Sequence, residues 1–192
     1  VVAGGTASSN FPATSGGYDP TYNGGIDGFI ARINSSGTAI LSSTFVGNTS
    51  YNQCYFVELD DNDDIYVVGQ KEGSWPITSG VWSTSQGGQF IMKFNPNLSG
   101  IIYSTQFGTS NSNINISPTA FLVDVCEYVY VAGWGGSTNF NGNTNGLPTT
   151  GDAFQGSTDG SDLYILVLTN NATSIDYGTF IGGPQSNEHV DG

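Results

Sequence analysis

Cations are almost missing from this 192-residue chain: Arg32, Lys71 and Lys93 stand against 16 carboxylates, for a formal net charge of −13. A protein that grips nucleic acid or anionic lipid sets Lys and Arg against phosphate, so neither is an expected partner. Histidine is as scarce, with His189 the single one, close to the end of the sequence. A Ser-His-Asp or Cys-His unit would have to be built on that residue. No pair or trio of His and Cys stands at zinc-ligand spacing. The chain is therefore read as non-catalytic, with no catalytic or cofactor-binding residues to name. Long apolar runs are absent too: none approaches the roughly 18 residues of a membrane-spanning helix, so no membrane insertion is expected. Nor does a signal peptide precede the first strand-like phrase. The chain opens inside that phrase, and Val1 is expected to be a cut edge.

Aromatic residues are plentiful at 12%, glycine numbers 28 and charged residues make up only 10%. Disorder calls for few apolar residues and high net charge per residue, which is not this pattern. Runs rich in Val, Ile, Tyr, Phe and Thr fall at 29–33, 41–46, 55–60, 65–70, 90–94, 101–107, 120–125, 129–134, 164–168 and 175–181. Clusters of Gly, Asn, Ser and Asp bound them, as they bound strands. No window has helical periodicity between helix caps. The expected fold class is all-β.

The chain is also written about three times over. Gly4, Gly69 and Gly133 each end an apolar phrase (Val-Val-Ala-Gly, Tyr-Val-Val-Gly, Tyr-Val-Ala-Gly). A proline follows each, at Pro12, Pro76 and Pro148, always after Phe11, Trp75 or Leu147. Then come a threonine (Thr14, Thr78, Thr150), an aromatic (Tyr18, Trp82, Phe154), an apolar run, and a glycine at Gly47, Gly108 or Gly182. The approximate units are 1–64, 65–128 and 129–192. Four strands in a repeat of this length match a propeller blade with one long connection. Three blades do not close a ring, so the expected architecture is a β-propeller arc, part of a larger propeller.

The phrases Gly4-Gly-Thr-Ala-Ser-Ser-Asn-Phe-Pro12, Asp27-Gly-Phe-Ile-Ala-Arg-Ile33 and Tyr177-Gly-Thr-Phe-Ile-Gly-Gly183 resemble the SBBP-type β-propeller repeat. The stretch Val123-Asp-Val-Cys-Glu-Tyr-Val-Tyr-Val-Ala-Gly-Trp-Gly-Gly136 is similar to a narrower group. These are large secreted Bacteroidetes proteins with a gliding-motility-associated C-terminal sorting domain. The resemblance implies secretion, by the type IX route, and display at the cell surface.

Few residues invite specific chemistry. Asp60-Asp-Asn-Asp-Asp64 packs four carboxylates into five residues, and Asp60, Asn62 and Asp64 are the calcium candidates, since hard cations take clustered oxygen ligands. The match to an EF-hand fails at Ile65 and Lys71, where Gly and Glu belong, and a hairpin turn is the simpler reading. Gly133-Trp-Gly-Gly136 follows a strand but opens no helix, so it reads as turn glycine and not as a phosphate loop. Tyr18, Trp82 and Phe154 recur at one repeat position, which fits packing in every blade better than a sugar platform needed once. Trp134, Asn139 and Asn141 break the repeat and are the ligand-edge candidates, with an insertion at 139–145. Cys54 and Cys126 occupy different repeat positions and are either two buried free thiols or a disulfide. The expected function is a structural and interaction module of a secreted or cell-surface protein, concerned with adhesion or gliding motility. Its partners would be further blades, surface proteins or glycans. A carbohydrate-binding propeller is the alternative, as is the scaffold of a secreted enzyme whose catalytic residues lie elsewhere.

Overall fold

The computed structural model of the chain describes residues 1–136 and 142–184. Within them run β1 (Val2–Thr6), β2 (Asp27–Ile33), β3 (Ile40–Val46), β4 (Asn52–Leu59), β5 (Ile65–Lys71) and β6 (Gln89–Phe94). Next come β7 (Ile101–Phe107), β8 (Ser117–Val123), β9 (Val129–Trp134), β10 (Leu163–Leu168) and β11 (Ile175–Ile181). One 3-10 turn, Asn170–Ala172, is the sole helical piece among the described residues. The strands pair antiparallel in chain order into three sheets, β1-β2-β3, β4-β5-β6-β7 and β8-β9-β10-β11. The molecule is all-β, built from successive meanders.

Each expected apolar run lies on a strand, and the differences at the ends have local causes. β4 starts at Asn52 because a bulge between Cys54 and Phe56 lets polar residues join the ladder ahead of the apolar run. β8 likewise begins at Ser117 and carries Pro118 beside a bulge. A proline is tolerated there because β8 is an edge strand. Repeat and sheet are out of step by one strand. Gly69 and Gly133 sit on the second strands of their sheets, β5 and β9, so the stretch 65–128 supplies β5, β6 and β7 to one sheet and β8 to the next. Gly4 sits on β1, which opens a three-stranded sheet.

The sheets pack face to face through two apolar cores. Between the first and second lie Ile30, Val46, Cys54, Ile65, Val67, Phe90, Met92 and Phe94. Between the second and third lie Tyr66, Val68, Ile91, Tyr103, Phe107, Phe121, Val131, Tyr164 and Leu166. Period-two alternation along β5 thus sends Ile65 and Val67 one way and Tyr66 and Val68 the other. All of β5 and β6 is buried. β4 packs on β1 and β2, and β8 packs on β4 and β5.

The long connections 7–26, 72–88 and 135–162 explain the repeated proline-threonine phrase. Phe11 packs on Phe29 at 4.7 Å between ring centroids, and Trp75 stacks on Phe90 at 4.3 Å. In the third unit the Tyr164 hydroxyl donates to the Pro148 carbonyl at 2.6 Å. The threonine then bonds the last strand of its own sheet. Thr14 N–H donates to Ser43 O, Thr78 N–H to Ser104 O and Thr150 N–H to Gly178 O, at 3.0–3.1 Å. An outer edge that would offer unpaired backbone groups is covered this way.

The aromatic six residues past the proline reaches the next sheet. Tyr18 N–H donates to Leu98 O at 2.7 Å and its ring meets Phe94 edge-on; Trp82 N–H donates to Ala172 O at 2.8 Å and packs on the second core. Leu98 and Ala172 have φ of 59° and 52°, a left-handed conformation that side chains seldom adopt. Both are fully buried, so the docked neighbour fixes the turn. Gly37 holds the same place in the first sheet, where no such neighbour is described, and there the turn uses glycine at φ 72°. Phe154, the third aromatic of the series, is 79% exposed.

These paired environments give a test of what the recurring aromatic does. Trp82→Ala is expected to cost about 2–3 kcal/mol in denaturant unfolding, through lost packing and a cavity. Phe154→Ala, at the matching repeat position, is expected to stay within about 0.5 kcal/mol of the parent, as exposed substitutions do. Equal losses in the two variants would refute the docking role.

Candidate functional site

The acidic stretch forms the β4–β5 hairpin, and the sequence dictates its geometry. Asp60 Oδ1 accepts from the N–H groups of Asn62 at 2.9 Å and Asp64 at 3.0 Å, a side-chain turn that aspartate favours. Asp124 does the same on the β8–β9 hairpin, accepting from Cys126 and Tyr128 at 2.8 and 2.9 Å. Asp63 and Glu127 take the matching left-handed position at φ 61° and 62°. What distinguishes the first hairpin is a cation. Lys93, on β6, is 4% exposed and places its ammonium 2.9 Å from Asp60, 3.2 Å from Asp64 and 2.9 Å from Glu127.

The Tyr66 hydroxyl donates within the same group, lying 3.2 Å from both Asp60 Oδ2 and Glu127 Oε2. The Lys93 ammonium also lies 4.8 Å from the Tyr66 ring centroid, within cation–π range. A single buried ammonium therefore ties the hairpin of the second sheet to the hairpin of the third. Burial alone would raise the Asp60 carboxyl, but the bonds from Lys93, Asn62 and Asp64 outweigh it and hold the group below the usual carboxylate range. Burial would lower Lys93, and its bonds to Tyr66 and the three carboxylates raise it instead. Of the calcium candidates, Asp60 and Asp64 converge, and the positive charge at their meeting point is the Lys93 ammonium; Asn62 stays on the exposed tip. A cleft of about 260 Å³ opens between the two hairpins, lined by Asp61, Asn62, Val125 and Glu127 among others. Among the described residues, no group of three or more His, Cys, Asp or Glu is arranged to hold a metal ion.

The remaining candidates fall in separate places. Both cysteines are free thiols: Cys54 is buried in the core between the first two sheets, and Cys126 is exposed on the β8–β9 hairpin. The bridge that the sequence leaves open is not formed, and only one thiol is buried as the other reading expects, because Cys126 falls on a turn tip. Burial pushes the Cys54 thiol up to about 12, against a small opposing hydrogen bond from Phe29. Trp134 closes β9 and is 8% exposed, paired with Ser117 and Leu163. Asn139, Asn141 and His189 lie outside the described residues.

One constellation escapes a reading by motif. Tyr51, Gln53 and Tyr55 belong to β4 and its lead-in, while Gln70 and Gln89 are cross-strand partners on β5 and β6. Gln70 Oε1 accepts from the Tyr55 hydroxyl at 2.8 Å and the Tyr51 hydroxyl at 3.0 Å. The Gln70 and Gln89 amides both donate to the Ile116 carbonyl, at 3.0 and 3.2 Å. Gln53 Oε1 lies 3.4 Å from the Tyr51 hydroxyl. Gln89 is fully buried, and its Oε1 meets no hydrogen-bond partner. Aligning the repeats on their glycines would have exposed the signal, because the Gln70–Gln89 pair occupies the place of Gly5–Gly28 and Trp134–Leu163. Next to it Lys71, also buried, donates to Gly73 O and Asn111 Oδ1 at 2.8 Å each, and burial pulls its amine down to about 8.

Compared with known families and curated proteins, the chain matches no family model and no curated sequence.

Removing the buried cation should be costly. Lys93→Met leaves Asp60, Asp64 and Glu127 facing one another, and a loss of about 3–5 kcal/mol in denaturant unfolding is expected. The Asp60 contribution is present above about pH 4, its unfolded value, and is lost as pH falls through the depressed native value. The gap in melting temperature between parent and variant should therefore narrow as the solution is acidified below pH ~4; a gap constant with pH would refute the ionic account.

The thiols offer a separate measurement. In the native protein a thiol reagent is expected to label Cys126 alone, and a denaturant to release Cys54 for labelling. No label on either in the absence of reductant would show them bridged.

Proposed function

We propose that the chain is an arc of a β-propeller and serves as a non-catalytic structural and interaction module of a secreted or cell-surface protein. The observation that carries the reading is the repeated junction between sheets. At both junctions a glycine (Gly4 on β1, Gly69 on β5), a proline-led connection, a docked aromatic and a left-handed turn residue recur at equivalent repeat positions. Meanders of four strands stacked face to face are the unit from which propellers are built. The outer faces are consistent with further units. Val2, Ile33 and Ile40 of the first sheet are 40–44% exposed, where their counterparts Val67, Phe94 and Ile101 pack into the core. On the third sheet Tyr130 and Ile181 are 36% and 42% exposed, where Tyr66 and Phe107 are buried. Stacking repeats bury such faces in turn, so a longer run of units would cover them.

The resemblance to SBBP-type repeats supports export and surface display, and the chain's acidity suits a soluble surface module. In this reading a rigid β scaffold presents hairpins and connections for adhesion or gliding motility, with contacts made by loops. Antibody raised against the chain should label intact, unpermeabilised cells of the source organism, and electron microscopy of the native protein should show a ring of at least four such sheets. Label confined to permeabilised cells would sink the surface assignment. A native protein with only three stacked sheets would sink the propeller.

A further inference from the structure

We propose that the Tyr51–Gln53–Tyr55–Gln70–Gln89 cluster is a binding site for a neutral saccharide. The proposal goes beyond the scaffold reading and rests on it in one respect: β4 lies where the sheets of the arc converge, packed against β1 and β2 on one side and β8 on the other.

The first support is that the cluster does not recur. In the third sheet the places of Gln70 and Gln89 are taken by Trp134 and Leu163, and those of Gln53 and Tyr55 by Ser117 and Thr119. In that sheet Trp134 is 8% exposed. In the first sheet the same pair is Gly5 and Gly28, and a side chain at Gly5 would collide with Gln53, at 2.9 Å from its Cγ. Among the three sheets this cluster occurs once, in the second.

The second support is the chemistry of the groups. Two half-buried phenols and a half-buried amide stand at the surface of β4, above two buried amides. Gln70 Oε1 already accepts twice and so has no free lone pair, which leaves the phenol oxygens to accept and the Gln53 amide to donate toward a ligand. Beneath them the Gln89 carbonyl oxygen is buried and unpartnered, an acceptor held in place at a desolvation cost. Aromatic faces with convergent neutral donors and acceptors suit a ring bearing vicinal hydroxyls, each of which both donates and accepts.

The third support is charge. Of the charged neighbours, Lys71 is committed to Gly73 O and Asn111 Oδ1, and Glu72 is near enough to help burial hold the Tyr51 phenol above its ordinary value. Set in a chain of net charge −13, such a site disfavours sialylated, sulfated or phosphorylated ligands.

The test is an array of neutral and acidic oligosaccharides probed with the chain itself, followed by calorimetric titration of the neutral glycan bound most strongly. The double variant Tyr51→Phe/Tyr55→Phe is expected to lose at least about tenfold in affinity, one lost hydrogen bond or more. Phe154→Ala, on the outer connection, should bind as the parent does. Hydrogen exchange on the unaltered protein gives a readout that needs no variant, with slowing on glycan addition confined to 51–55 and their partner strand. Binding of acidic glycans only, protection elsewhere, full affinity in the double variant, or no neutral glycan bound at millimolar concentration would each overturn the site. Small-angle scattering of the same sample keeps the two readings apart. A curved, folded arc that binds no glycan refutes only the site, and a profile that fits no stacked arc refutes the scaffold reading beneath it.

Discussion

No sheet in this molecule can bury both of its faces alone. A meander of four antiparallel strands presents side chains up and down in strict alternation, and one face can be left to water only if it is polar. The second sheet is apolar on both faces: Ile65 and Val67 look one way, Tyr66 and Val68 the other, and none reaches solvent. That strand is stable only between two neighbours. Everything else in the structure follows from the need to hold three sheets in register against each other.

Apolar packing supplies the area but little of the alignment, since it has no direction. Directional contacts at both ends of the strands supply it. At the end where Ile65 pairs with Phe94, Tyr18 and Trp82 bond the left-handed turns of the next sheet, and Lys93 gathers carboxylates from two hairpins. At the opposite end Gln70 and Gln89 share the Ile116 carbonyl. In the third sheet Val167 stands opposite Tyr130 just as Lys93 stands opposite Tyr66, and with no cation there Asp124 is satisfied by the Tyr130 hydroxyl at 3.0 Å. The acidic turn is thus common to the repeat, and the ionic clamp belongs to one junction.

Much of the fold was legible because strand period and turn chemistry are local. All ten apolar runs lie on strands, and the proline-threonine-aromatic phrase marks connections that cover an edge and reach a neighbour. The bulges at Cys54 and Pro118 were not legible, since both depend on a partner strand. The function of Asp60 and Asp64 was hidden for a related reason. Four carboxylates in five residues read as a cation site, but the cation comes from Lys93, some thirty residues away, and only the β5–β6 register brings it there. Cys126 read as one of two equal thiols, and its exposure follows from the hairpin whose tip it occupies. Sequence comparison between units would have found the Gln70–Gln89 pair, because the signal is a departure from the repeat and not a motif.

That departure separates two kinds of residue in a repeated protein. Positions that recur, such as Tyr18 and Trp82 or Asp60 and Asp124, do work that every unit must do, and their chemistry is explained by the junctions. Positions that differ are free of that duty. Of those, Lys93 is explained by the carboxylates it neutralises. The amide pair on β5 and β6 is explained only in part, by the Ile116 carbonyl that it shares across the junction. Gln89 keeps an unpartnered carbonyl oxygen in a place where leucine packs the equivalent site of the next sheet without that cost. A polar group retained at such a cost, beside the Gln70 amide that two half-buried phenols contact, fits a ligand site better than a packing position.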